Sequence, residues 1–280
     1  MDMDTTKNTA RTIWSLIEPV HAVTYFAPES HAAFEEAGLR GFWRGYFAGR
    51  AAPLGPVGPG PVVAAFFSFA PAMVARALPS VWDLISPADA LTVRRSGARE
   101  ALRRLLAGLE TETARAAELL TPYARDLGVA GRPLAAANAG LPWPDDPVDR
   151  LWHCATLLRE HRGDGHVATL VAAGLDGCEI LALRAGIDLP RSELQPHRGW
   201  SDAQWSAACQ RLADRGLLGP DGTATDAGRE VHRAVEAATD AAAVGAGAAD
   251  ELLKTLTPLS RACAGALPFP NPMGLPAAGT

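Results

Sequence analysis

Cysteine chemistry has little to work with in this chain. Cys154, Cys178, Cys209 and Cys263 stand singly, with no C-x-x-C pair, which excludes a zinc knuckle and offers no disulfide framework. Also missing are G-x-S-x-G, a P-loop, G-x-G-x-x-G and H-E-x-x-H. The glycines of Gly55-Pro56-Val57-Gly58-Pro59-Gly60 are separated by prolines, which remove the amide donors that a phosphate cradle needs. No run approaches the ~20 apolar residues of a membrane span, and the opening MDMDTTKNTARTIW has no apolar signal core. These absences predict a cytoplasmic protein without a membrane partner. A net charge of -5 argues against nucleic acid as a partner, although a local basic patch is compatible with an acidic total.

What the chain does have is apolar content, 48% of its 280 residues, enough for one large domain or two. Its richness in Ala, Arg, Gly and Pro points to a high-GC actinobacterial source. One stretch organises the rest: GWSDAQWSAACQRLADRGLLGPDGTATDAGREVHRAVEAATD, Gly199 to Asp240. Ser201 with Gln204 makes a capping box. The helix it opens carries Trp205, Ala208, Cys209 and Leu212 on one face. Gly216 stops that helix. Leu217-Leu218 and Thr223-Ala224-Thr225 flank the tight turn Gly219-Pro220-Asp221-Gly222, and Thr225-Asp226 begins a helix through Val231, Val235 and Ala238. Helix, ribbon and helix make the second half of a winged helix.

RLADRGLL followed by DGTATDAGRE resembles the recognition helix, wing and next helix of MarR-type regulators. Nearly the whole chain, through HAVTYFAPE, GFWRGYFAGRAAPLGPV and HRGDGHVATLVAAGLDG, resembles a family of actinobacterial proteins labelled helix-turn-helix, a label that brings no mechanism. A MarR-type wing is long and carries basic residues for the minor groove, whereas this turn has one charge, the negative Asp221. The cations of the recognition-type helix, Arg211 and Arg215, are offset by Asp202 and Asp214. A winged helix without DNA binding is expected, since phosphate neutralisation supplies most non-specific affinity.

Ala37-Gly38-Leu39-Arg40-Gly41 matches Ala173-Gly174-Leu175-Asp176-Gly177 without a gap. We read this as an internal duplication. The predicted fold is mainly α: two tandem winged-helix-like units with short β-wings, resembling a fused MarR dimer. The units are residues 1–121 and 148–264, joined by a Pro/Gly-rich link over 122–147 and followed by a flexible tail over 265–280. Within them, Pro19 should kink or end the first helix, and residues 62–78 should form one buried apolar helix. Residues 148–161 and 164–173 should form separate helices around HRGDGH.

The candidate site residues fall in three groups. His21, Tyr25, Glu29, Trp43, Tyr46 and Arg50 describe an aromatic pocket with a few oriented polar groups, joined by Phe67. His21 could act as a general base and Arg50 could hold a carboxylate or phosphate. The plainer reading makes the aromatics core and pairs Arg50 with Glu29 or a helix C-terminus. In the second group, His161 and His166 could bind metal or haem, but their spacing of five is not helical i, i+4. More simply, His161 ends a helix, Asp164 caps the next, and His166 faces a pocket. Glu179 is either exposed or the buried partner of a histidine.

Three functions compete. One is a small-molecule-binding protein on a winged-helix scaffold that does not bind DNA. A sharper version is a cofactor-free acid/base enzyme of specialised metabolism using His21, Tyr25, Glu29 or His166. The third is a MarR-like ligand-responsive regulator. No metal or other cofactor is expected, and the protein should be a monomeric pseudo-dimer or a homodimer.

Overall fold

The computed structural model describes residues 3–243 and 250–268. Of the tail, therefore, residues 269–280 lie outside the described residues, as do 244–249. Among the described residues the chain is mainly helical, and no named β-strand occurs. The first lobe contains α1 (Met3–Phe26), α2 (Pro28–Glu36), α3 (Phe42–Ala51), α4 (Pro59–Phe66) and α5 (Pro71–Ala75). Then come α6 (Pro87–Leu105), α7 (Glu110–Arg125) and α8 (Pro133–Ala139). The second lobe is built from α9 (Pro147–Ala172), α10 (Gly177–Ala185), α11 (Arg191–Leu194), α12 (Asp202–Asp214), α13 (Asp226–Ala242) and α14 (Asp250–Ala264). Prolines open α2, α4, α5, α6, α8 and α9, where their missing N–H costs nothing because the first helical amides have no partner in any case.

Helix α1 runs through Pro19, so of the two expected effects, a kink or an end, the end does not occur. Proline inside a helix costs about 3 kcal/mol. Ile17, Val20 and Val23 around it are at most 1% exposed, and each such burial contributes roughly 1.5–3 kcal/mol. Burial wins. Helix α9 likewise continues through Gly163 and Gly165, where a junction was expected. A Cβ on Gly165 would lie 2.6 Å from Arg132 Nη1. The Arg132 guanidinium fills that space, donating to the carbonyls of His161 and Ala242.

Three cores organise the chain. The central one lies where α1, α6, α7, α9 and α14 meet, around Ile17, Leu102, Leu120, Leu151 and Leu256. In it α1 packs along α14 and α9, while α7 packs along α9 and α14. A second core holds Phe34, Phe47, Phe66 and Leu78 in the first lobe. The third holds Leu170, Leu183, Trp205 and Leu212 in the second lobe. Trp200 packs against both lobes. The stretch 122–147 contains the end of α7 and all of α8, which packs on α9 with Leu134 1% exposed.

The capping box of α12 forms as the sequence implies: Gln204 N donates to Ser201 Oγ, and Ser201 N to Gln204 Oε1. The expected β-wing reduces to one antiparallel bridge, Leu218 to Ala224. Thr225 caps α13 immediately afterwards, which leaves no length for a ladder. Residues 62–78 are not one helix. Phe67 breaks them, with φ +57° and ψ −59°, and Ser68 N donates to Phe66 O at 2.7 Å. That three-residue γ-turn is a strained conformation for a non-glycine residue.

A cavity between the two lobes as candidate ligand site

A cavity of about 870 Å³ opens between α1, α3, α4 and residues 67–69 on one side and α9, α10 and α13 on the other. Its size suits a small-molecule site. One wall is aromatic, because α3 spaces Phe42, Trp43 and Tyr46 on the face turned toward Tyr25 of α1 and Phe69. The Tyr25 and Tyr46 rings are 5.0 Å apart, and Trp43 meets Phe69 edge to face at 5.9 Å.

Ion pairs bridge the two sides. Arg50 of α3 donates Nε and Nη2 to the two oxygens of Glu160, at 3.1 and 3.0 Å, and its guanidinium lies 4.1 Å over Phe66. Arg159 joins Glu160 to Glu18 of α1. Arg162 and Arg11 share Glu236 and Asp240 of α13. Burial alone would raise the Glu160 carboxyl, but Arg159 and Arg50 outweigh it and hold it well below the usual carboxylate range. The plainer reading of Arg50 was right in kind and wrong in partner: the carboxylate is Glu160, not Glu29.

Three polar groups have hydrogen-bond roles that can be assigned. His21 Nδ1 is 3.0 Å from Thr156 Oγ1, and His21 Nε2 is 3.0 Å from the Tyr25 hydroxyl. Thr156 gives its own proton to Trp152 O, so it accepts from His21 Nδ1–H, and Nε2 accepts from Tyr25. Burial, reinforced by Arg159, pushes the imidazole well below its ordinary value and keeps it neutral. His21 itself lies behind the cavity wall, which Tyr25 forms. His166, which does line the cavity, repeats the device: Nδ1 faces Thr239 Oγ1 at 3.0 Å, and Thr239 donates to Val235 O. Burial lowers His166 to about 4. Tyr46 differs, since its hydroxyl oxygen accepts from Arg50 Nη1.

Of the candidate residues, Tyr25, Trp43, Tyr46, Arg50, Phe67 and His166 line this one cavity. Glu29 does not reach it; it pairs with Arg104 on the exposed side of α6. Glu179 is buried, but its partner is an arginine and not a histidine. It closes the α10 capping box by accepting Asp176 N, and it accepts Arg211 Nε at 2.6 Å. His161 lies inside α9 with Nε2 3.2 Å from Gly128 O, so it ends no helix, and its ring does not share a partner with His166. Asp164 accepts Ala135 N of α8, and burial raises it to about 6. Glu18, Arg159, Arg162, Thr156 and Thr239 were missed. Charges in REHRGD look like a solvated face until α1 and α13 cover α9 on both sides.

Residues 66–70 are clamped by the second lobe. Trp200 Nε1 donates to Ser68 O at 2.9 Å and Ala70 N to Arg198 O at 2.8 Å. Any Cβ on Gly177, at the start of α10, would overlap the Phe67 carbonyl. The exposed cations at the end of the recognition-type helix α12 make contacts within the protein. Arg211 binds Glu179 and Asp176, and Arg215 caps the end of α9 through the carbonyls of Gly174 and Ala173.

Among the described residues, these features define a mainly helical protein with a cavity between α1, α3 and α4 on one side and α9, α10 and α13 on the other. Residues 10–270 match the model of a helix-turn-helix family, and the chain belongs to that family. No curated protein and no solved structure matches the chain.

Proposed function

We propose that this helix-turn-helix protein binds a small molecule between its lobes and does not read DNA. The convergence of six of the candidate residues on one 870 Å³ cavity carries the reading. The contacts of Arg211 with Glu179 and Asp176 and of Arg215 with the end of α9 favour the second half, since they partly offset the charge these two exposed arginines offer to phosphate.

A duplicated scaffold accounts for where the cavity lies. Shifted by 136 residues, α3, α6 and α7 fall on α10, α13 and α14. Packing is reciprocal: α1 lies on α14 as α9 lies on α7, and α1 meets α13 as α9 meets α6. The matching Ala-Gly-Leu segments make the same helix end, with Leu39 N bonding Phe34 O and Leu175 N bonding Leu170 O. On this reading the chain is a covalent counterpart of a MarR-like dimer, with its ligand held between the dimer-like core and the lobes.

The regulator reading has one specific observation in its favour: α12 is a well-capped helix whose outer face, including Gln204 and Gln210, is exposed. The acid/base enzyme reading rests on the Tyr25–His21–Thr156 chain at the cavity wall. Native mass spectrometry of protein from its own host, beside a shift assay on its own promoter fragment at physiological salt, separates these. We expect a bound small molecule and no shift; a shift by ligand-free protein would overturn the reading.

A further inference from the structure

Proton and charge accounting around the cavity specifies the class of ligand. Among the described residues, six arginines line it: Arg11, Arg50, Arg159, Arg162, Arg184 and Arg198. Six carboxylates stand beside them: Glu18, Asp188, Glu193 and Glu236 on the lining, with Glu160 and Asp240 directly behind it. Arg50, Arg159, Arg162, Arg11 and Arg184 each hold at least one of these carboxylates within 3.3 Å. Five of the six lining arginines are therefore already paired with carboxylates. An anion binding to Arg50, Arg159 or Arg162 would have to displace a protein carboxylate from a buried guanidinium, which leaves that carboxylate uncompensated.

The neutral polar groups have a definite polarity. Tyr25, which lines the cavity, commits its only proton inward to His21 Nε2, so its oxygen can take part in any further hydrogen bond only as an acceptor. His166 is protonated on Nδ1, because Thr239 has given its proton to Val235 O and Glu236 lies 3.9 Å from the same nitrogen. Its Nε2 is then left as an acceptor. Tyr46 is the converse, since its oxygen is taken by Arg50 and its O–H is free to donate.

We infer that the cavity takes an uncharged, planar aromatic ligand bearing a hydrogen-bond donor, such as a phenol or carboxamide, and not a carboxylate or phosphate. The inference rests on the ligand-binding reading. It revises the role expected of Arg50, whose charge serves Glu160 and Tyr46 in place of a ligand anion. The aromatic wall stacks the planar body, Tyr25 and His166 receive donors, and Tyr46 gives one proton to an acceptor.

The test is calorimetry on the full chain at pH 7 with four matched probes: 2-naphthol, 2-naphthamide, 2-methoxynaphthalene and 2-naphthoate. Naphthol or naphthamide should bind at least about tenfold more tightly than naphthoate, a difference of ~1.4 kcal/mol. Methoxynaphthalene, which lacks the donor, should bind more weakly than naphthol. Tyr25→Phe should weaken naphthol and leave methoxynaphthalene unchanged, with its melting temperature recorded as the folding control. Should that variant fail to fold, the comparison of probes on the unaltered protein still decides. Naphthoate binding as tightly as naphthol, methoxynaphthalene matching naphthol, or no binding by any probe would each overturn the inference. A co-purified molecule seen by native mass spectrometry would leave the ligand-binding reading standing in all three cases.

Discussion

Arg50 and Glu160 sit 110 residues apart in sequence and meet through two parallel hydrogen bonds inside the protein. They tie α3 of the first lobe to α9, and Arg159 shares the same carboxylate. Removing that carboxylate leaves the buried Arg50 guanidinium without a carboxylate and Arg159 with Glu18 alone. Glu160→Leu should therefore destabilise by about 3–5 kcal/mol, the range for breaking one side of a buried pair. Adding Arg50→Met should recover part of the loss, because Arg159 keeps Glu18. Urea denaturation of the two variants checks the order, and a double variant weaker than the single would contradict it.

Stability should fall on mild acidification. Burial lowers His153, His161 and His166 to about 4 from an ordinary value near 6.5. Between those values the unfolded chain binds more protons than the folded one, so stability falls as pH drops from about 6.5 toward 4. Asp164, raised to about 6, acts in the opposite sense over the same window, but it is one group against these three histidines and also His21 and His232, which burial lowers as well. The urea midpoint at pH 4.5 should lie below that at pH 7 by an amount worth a few kcal/mol.

Gly177 permits a close approach of α10 to the Phe67 carbonyl. Its replacement by Ala places a methyl group on the Phe67 carbonyl, backbone that cannot swing away. Gly177→Ala should cost more than about 3 kcal/mol, in the range reserved for severe packing clashes. Gly60, within the first turn of α4, has nothing within 4 Å, so Gly60→Ala should be neutral or slightly stabilising. A thermal melt of the two variants is sufficient; equal shifts would show that the Phe67 turn does not bear on α10.

Arg211→Ala should act on stability and not on nucleic acid. The side chain is 47% exposed, so its pairs with Asp176 and Glu179 contribute about 1 kcal/mol or less. A small drop in melting temperature is expected, with no change in retention on immobilised DNA. Loss of DNA retention would identify α12 as a reading helix.

The thiols should be quiet in the native protein. Burial raises Cys154 to about 11 and Cys178 and Cys263 to about 12. A disulfide-exchange reagent should label these three far more slowly before than after unfolding. Fast labelling of Cys154 or Cys263 in the native protein would mean that the central core opens, and of Cys178 that the third core does.

Local chemistry was legible in the sequence wherever neighbours in the chain are neighbours in space. Ser201 with Gln204 forms its capping box, Thr225 caps α13, and Gly216 adopts φ +71° to end the helix before it. The face that carries Tyr46 and Arg50 follows from their spacing of four. Periodicity alone also made the chain mainly α, and the six residues that share the cavity could be named from residue type and spacing.

Tertiary structure decided what periodicity cannot carry. Whether Pro19 breaks α1 or Gly165 breaks α9 depends on burial and on Arg132, which arrives from a distant segment. Arg50 finds Glu160 and not Glu29 because α3 faces α9, while Glu29 points to Arg104 on α6. The charged run of α9 reads as solvated in one dimension, and becomes a buried, balanced network only when α1 and α13 close over it. Ion pairing, tautomer and burial depend on contacts between segments far apart in the chain, and a linear pattern holds no record of which faces will meet.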